Sequence, residues 1–216
     1  MKVKVLFFII AAYFMMTCSA YAEPYRLAVY GDSLSAGYRL QPQDAFYTQL
    51  EEALKKRGYD VVVLNYSRSG ETTWGGLQRL PSLISQKPNA VILELGINDA
   101  IQNVALDSTE RNLKEIIIRL QENKIPVLLV GMKSVPTRIP TYQQEFEQMY
   151  QGLAQQYNLV FYPFFMKGII DTFLGQAIVP SANFLSDNMH PSPQGIRIMV
   201  ENILPTVERF LKKNGV

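Results

Sequence analysis

A three-layer α/β/α domain around a five-stranded parallel sheet is the fold class this sequence predicts, on two observations. Five apolar runs of strand length recur along the chain, with amphipathic helical segments between them. The runs are nearly continuous in hydrophobicity instead of alternating, which fits parallel strands covered on both faces. Such β-α alternation places helices on both sides of one sheet. Functional groups then collect at the C-terminal ends of the strands.

The chain opens on a segment outside that domain. Lys2 and Lys4 precede an apolar run of 12 residues from Val5 to Met16, and Ser19-Ala20-Tyr21-Ala22 closes the segment with small residues. This is the layout of a secretory signal peptide, residues 1–22, with cleavage expected after Ala22. The run is shorter than the roughly 17–25 residues of a membrane span. Cys18 reads as a spectator, because Met15-Met16-Thr17 is too bulky for a lipid-attachment box. The expected product is periplasmic or secreted, with residues 23–216 as a single domain, a monomer with no stable membrane anchor.

Within that domain the first strand is read at Arg26–Tyr30. Phe46, Leu50, Ala53 and Leu54 then share one helical face, leading to a second strand at Val61–Leu64. Pro81 interrupts a helical pattern, which it is expected to kink or restart, before the third strand at Ala90–Leu95. Asp107 and Glu110 resemble a capping box ahead of the face formed by Leu113, Ile116, Ile117 and Leu120. Val127–Val130 is the fourth strand. Phe146, Met149, Tyr150 and Leu153 form the next apolar face, and Leu159–Tyr162 the fifth strand. Ser192-Pro193, a capping serine before a first-turn proline, opens a last helix with an apolar face from Ile196 to Leu211. Pro205 interrupts it as Pro81 does the earlier one. Trp74 and most other aromatic residues are assigned to core or pocket wall.

Composition narrows the chemistry. Apolar residues make up 48% and charged residues 19%, with mean hydropathy −0.00, which excludes a disordered chain. Removing the first 22 residues takes away two lysines and no acid, so the net charge drops from +2 to zero. A neutral domain offers no electrostatic case for nucleic acid or an anionic membrane. It holds no cysteine and a single histidine, His190. Disulfides, thiolate chemistry and cysteine or multi-histidine zinc sites are excluded, and no cofactor or metal is expected.

The residues just past the strands carry the remaining signal. They are Gly31-Asp32-Ser33-Leu34-Ser35, Ser67-Arg68-Ser69-Gly70-Glu71-Thr72-Thr73 and Gly96-Ile97-Asn98-Asp99, joined by Asp187-Asn188-Met189-His190-Pro191 before the last helix. Acyl transfer from an ester needs a nucleophile, a base, a group that orients the base, and donors for an oxyanion. His190 is the one imidazole that can activate a serine, and Asp187 lies three residues before it. Ser33 opens a turn after a strand, so its own N–H can face an anion. Gly70 can bring a bare backbone N–H close to substrate, and Asn98 offers a side-chain amide. Taken singly, these residues read as a helix cap, turn formers, a surface histidine and a solvated loop charge. Taken jointly, in the order Ser-Asp-His and all on strand-end loops, they read as a catalytic set. Asp32 and Asp99 are read as carboxylates that structure their loops. No G-x-S-x-G elbow occurs, which excludes the α/β-hydrolase version of the triad.

These stretches resemble the GDSL/SGNH hydrolase family. Gly31-Asp32-Ser33-Leu34-Ser35-Ala36-Gly37-Tyr38 is similar to its bacterial periplasmic branch of multifunctional thioesterases, lysophospholipases and arylesterases. Arg79-Leu80-Pro81, Leu93-Glu94-Leu95-Gly96 and Pro163-Phe164-Phe165-Met166 extend the likeness over nearly the whole domain. The resemblance implies a flavodoxin-like sheet, a Ser33-His190-Asp187 triad and an oxyanion hole from Ser33, Gly70 and Asn98. Ile97 stands where close relatives often carry glycine. The implied activity is hydrolysis of acyl-CoA thioesters, lysophospholipids and aryl or short-chain acyl esters through an acyl-enzyme.

Two stretches are expected to shape the pocket. Lys133–Gln144 contains prolines and reads as a mobile flap. Met166–Ser186 is rich in Ile, Phe, Leu and Val and is either a packed connector or an acyl-chain groove, the groove being preferred. A carbohydrate O-deacetylase of the same family is the alternative enzyme. A phosphate or flavin site lacks its glycine motif here, and a non-catalytic flavodoxin-like binding module sits poorly with an intact triad.

Overall fold

The computed structural model describes residues 23–134, 140–170, 184–185, 187 and 189–216. The signal peptide expected at 1–22 lies outside them. Tyr25–Tyr30 (β1), Val61–Asn65 (β2), Ala90–Leu93 (β3), Val127–Val130 (β4) and Val160–Tyr162 (β5) form one sheet in the order β2-β1-β3-β4-β5. Every pairing is parallel. All residues of β3 and β4 are buried, which is why these segments read as continuous apolar runs without alternation.

Seven α-helices are described: Ser33–Ala36 (α1), Phe46–Lys56 (α2), Thr73–Ser85 (α3), Ile97–Ile101 (α4), Leu106–Glu122 (α5), Pro140–Gln156 (α6) and Pro193–Lys213 (α7). α2 packs against α7, and α3 against α5, which also touches α6. In α2 the fully buried Phe46, Leu50 and Leu54 each contribute about 1.5–3 kcal/mol of burial. Phe46 meets Phe165 edge-on, with ring centroids 4.8 Å apart.

The strand order reverses at β1, with β2 on one side and β3 on the other. Register aligns Val29 with both Asn65 and Ile92, so the three strands end on one rim. A crevice at such a switch point is where open α/β sheets place their ligands.

Several expectations need correction. β3 ends at Leu93, two residues early; the Glu94 N–H still donates to the Tyr30 carbonyl at 2.9 Å, but the chain then leaves the sheet. The capping box at Asp107 does not form, because α5 begins at Leu106 after Ala105 with no side-chain cap, leaving Asp107 inside the first turn. Of the kink or restart expected at Pro81 and Pro205, the restart does not occur. α3 and α7 run through them, with both prolines on the exposed side, while the buried faces hold each helix together. Trp74 belongs to neither core nor pocket wall: it is 63% exposed on the first turn of α3. The stretch read as a flap is helical from Pro140, since a proline at a helix start forfeits no internal hydrogen bond. Residues 135–139 of that stretch lie outside the described residues, as do 171–183 and 186 of the groove.

Candidate active site

Each strand end delivers one group. After β1 the chain turns at Asp32, whose carboxylate caps α1 by accepting the Leu34 N–H at 3.0 Å. This cap fixes Ser33 as the first residue of the helix, with its hydroxyl on the rim. After β2, Gly70 adopts φ +78°, a left-handed conformation that disfavours any side chain although a Cβ there would meet nothing within 4 Å. Its loop is exposed. After β3 the backbone turns at Gly96 with φ +130°, and α4 begins at Ile97. The conformation that demands glycine falls one residue before Ile97, so Ile97 sits unstrained and lines the cavity.

Asn98, on the first turn of α4, has its amide fixed in place. Nδ2 donates to Asp32 Oδ2 at 3.2 Å and to the Glu71 carbonyl at 3.0 Å. The neighbouring Asp99 does structure its loop, accepting the Thr73 N–H at 2.8 Å and the Thr73 hydroxyl at 2.6 Å. It thereby ties the start of α3 to α4. Asn98 thus holds both the Ser33 turn and the Gly70 loop.

The histidine comes from the loop before α7. Asp187 Oδ1 accepts the N–H groups of Met189 and His190 at 3.0 and 2.9 Å, closing a tight turn. The Leu185 N–H donates to the His190 carbonyl at 2.8 Å, and Ser192 caps α7 through the Gly195 N–H. The turn leaves Asp187 Oδ2 at 2.9 Å from His190 Nδ1, and His190 Nε2 at 3.0 Å from Ser33 Oγ. A carboxylate only accepts, so Nδ1 carries the proton and Nε2 is left to accept from the serine hydroxyl. Partial burial works to raise the Asp187 carboxyl, but the N–H groups of His190 and Met189, then the imidazole, outweigh it and hold it at about 2. The Tyr38 ring packs on the imidazole with centroids 4.4 Å apart. No pattern in the sequence marks that contact.

These groups open into a cavity of about 640 Å3. Ser33, Gly70, Asn98, Asp187 and His190 all line it, so the structure gathers the five expected residues in one place. Its other walls are largely apolar: Leu34, Ile97, Ile101, Met132, Phe164, Met166, Ile170, Phe184 and Met189. From the two described ends of the expected groove, Met166, Ile170 and Phe184 line it. Among the described residues, no group of three or more His, Cys, Asp or Glu is placed to hold a metal ion. A serine hydroxyl, an imidazole and a carboxylate in series beside backbone and amide donors can carry out acyl transfer.

A fold of this plan with a serine-histidine-aspartate series at its switch point defines a class of ester hydrolases, and the sequence agrees. Residues 29–198 match the GDSL-like lipase/acylhydrolase family, and the chain belongs to it. It is 32% identical over 186 residues to the esterase TesA of Pseudomonas aeruginosa, covering 86% of this chain and 89% of that protein. Identity is 33% over 144 residues to thioesterase 1/protease 1/lysophospholipase L1 of Escherichia coli, covering 66% and 68%. Among solved structures it is similar to the psychrotrophic esterase EstA from Pseudoalteromonas sp., inhibited by monoethylphosphonate. That match has 26% identity, a TM-score of 0.79 and coverage of 87% of this chain and 99% of that one. The protein is an esterase of this family with a five-stranded SGNH-hydrolase fold.

Proposed function

We propose that Ser33, His190 and Asp187 hydrolyse carboxylic esters and thioesters through an acyl-enzyme. The observation that carries this reading is the unbroken series from Asp187 Oδ2 through the imidazole to Ser33 Oγ, with links of 2.9 and 3.0 Å. Ser33 Oγ attacks the acyl carbon while His190 Nε2 takes its proton. Charge on the acyl oxygen is met by the N–H groups of Ser33 and Gly70 and by the Asn98 amide. Asn98 already has two acceptors, but an oxyanion draws a shared N–H more strongly than the neutral Glu71 carbonyl does. The tetrahedral species collapses as Nε2–H protonates the departing alcohol or thiol. Water then repeats the cycle, losing its proton to the imidazole as it attacks the acyl-enzyme, and the acid leaves with Ser33 restored.

The apolar cavity favours substrates with a hydrocarbon acyl chain. By likeness to the thioesterase and lysophospholipase from E. coli, thioesters and lysophospholipids belong to the class, with aryl and short-chain esters as simple members. The largely apolar walls suit a hydrocarbon chain better than the hydroxyl groups of a sugar, which disfavours the sugar O-deacetylase reading. Residues 1–22 act as a cleaved export signal in this reading; among the described residues no helix is long and apolar enough to cross a membrane.

A chain-length series of p-nitrophenyl esters beside an acetylated sugar tests the proposal. kcat/KM is expected to rise from acetate to medium chains, with little release of sugar acetate. Preference for the acetylated sugar with no gain from chain length would overturn it.

A further inference from the structure

Glu94 is a charged residue type at the end of a buried strand run, and it does not line the cavity. Its residue is 1% exposed. The side chain occupies space that exists because residue 31 is glycine: a Cβ on Gly31 would lie 2.5 Å from Glu94 Oε2 and 2.7 Å from Ser35 Oγ. Oε2 accepts the Ser35 hydroxyl at 2.6 Å and the Asp32 N–H at 3.3 Å, so it grips the Ser33 turn on both sides of the nucleophile. Asp32 continues the chain of bonds to the Leu34 N–H and the Asn98 amide, and Asn98 continues it to the Gly70 loop through Glu71. Bonds that begin at Glu94 therefore lead, through Asp32 and Asn98, to all three proposed oxyanion donors.

We propose that Glu94 is a positioning residue for the hydrolysis, its carboxyl group fixing the turn that carries Ser33 and, through Asp32, the Asn98 amide. This rests on the assignment of Ser33 as nucleophile. The geometry favours an uncharged carboxyl group. Oε1 is buried with no hydrogen-bond partner, and no ion pair among the described residues includes Glu94. Burial, then the facing Asp32 carboxylate, pushes Glu94 well above the ordinary glutamate range. Tyr150 is the other titratable group that faces it, and its hydroxyl is engaged with the Leu95 carbonyl at 2.8 Å. Between the two acids the proton belongs on Glu94, because each Asp32 oxygen accepts a bond while Glu94 leaves one oxygen bare.

Glu94→Gln copies the uncharged form: its amide oxygen can accept both bonds. Glu94→Ala removes them, and Ser35→Ala removes the shorter one without opening a large cavity. With a p-nitrophenyl ester, Glu94→Gln should retain kcat within about threefold. Glu94→Ala should lose about ten- to a hundred-fold in kcat with KM within about twofold, the cost of a displaced catalytic geometry. Ser35→Ala should fall between the two. Rates of fluorophosphonate labelling should follow kcat, with circular dichroism and melting temperature reporting the fold. If Glu94→Ala does not fold, Ser35→Ala carries the test. Wild-type kcat in a folded Glu94→Ala or Ser35→Ala protein, or Glu94→Gln as impaired as Glu94→Ala, would overturn the role of Glu94. Ser33→Ala is measured beside them: if it is inactive while Glu94→Ala is unaffected, only this inference fails, and if it is active the nucleophile assignment fails.

Discussion

Replacing Asn98 with aspartate exchanges one nitrogen for an oxygen and reverses what that corner of the site can hold. The amide nitrogen lies 3.2 Å from Asp32 Oδ2 and 3.0 Å from the Glu71 carbonyl, both acceptors. A carboxylate there loses both bonds and sets two negative charges about 3 Å apart. At an effective dielectric of about 20 their repulsion is on the order of 5 kcal/mol, which the protein relieves by taking up a proton. Asp32 is already pushed up to about 7, chiefly by burial. The lost oxyanion donor adds about 2.7–4 kcal/mol to the barrier, or 10²–10³ in kcat. Asn98→Ala should therefore lose about that factor in kcat with KM little changed, because only transition-state binding is removed. Asn98→Asp should be at least as inactive, with a lower melting temperature at pH 8 that partly recovers at pH 5. Steady-state kinetics and thermal melts of both variants make the comparison. If Asn98 only forms a turn, the ordering inverts, since aspartate keeps turn chemistry that alanine lacks. An Asn98→Asp protein with wild-type kcat and melting temperature would refute the reasoning.

Three further outcomes are expected. Asp187→Asn should keep the turn, because an amide oxygen still accepts the Met189 and His190 N–H groups, yet lose up to about 10⁴-fold in kcat as the imidazole tautomer is released. Stability should decline from pH 5 to pH 8: Asp32, raised to about 7, and Glu94, raised well above the ordinary glutamate range by burial, hold protons in the fold that the unfolded chain releases above pH 4. Melts across that range should show a shallower decline in Glu94→Gln, and an equal slope would contradict the assignment. Asp187, held at about 2, has the opposite sign and gives up its contribution only as the pH falls through that value. Arg79→Met should destabilise the protein by leaving Glu71, 7% exposed, without its cation. Urea melts should give less than the roughly 3–5 kcal/mol of a fully buried pair, because the Arg79 side chain is 27% exposed.

The strands were legible because burial on both faces leaves no room for polar residues, as in β3 and β4. The site was legible because its groups sit where chain reversals would ordinarily need only turn formers. Glu94 was missed because it lies inside the apolar run AVILEL and read as part of the strand. A charged residue in such a run was the available signal, since burying one requires partners such as Ser35 and the Asp32 N–H. The ion pair of Glu71 with Arg79, eight residues apart across a loop and a helix, has no local pattern. Trp74 was misplaced because size and hydrophobicity argue for burial while its position on the first turn of α3 faces outward. Pro81 and Pro205 pointed to a kink or a restart, and the restart does not occur because packing of the opposite face overrides local propensity.

The central claim is that Ser33, activated by His190, is the nucleophile. Its most direct test is a mass measurement on protein treated with an alkyl fluorophosphonate. One adduct per chain is predicted, mapping to the peptide that contains Ser33, appearing in step with loss of esterase activity and absent from Ser33→Ala. An adduct on another residue, or a Ser33→Ala protein that is still labelled and still hydrolyses the ester, would contradict the account.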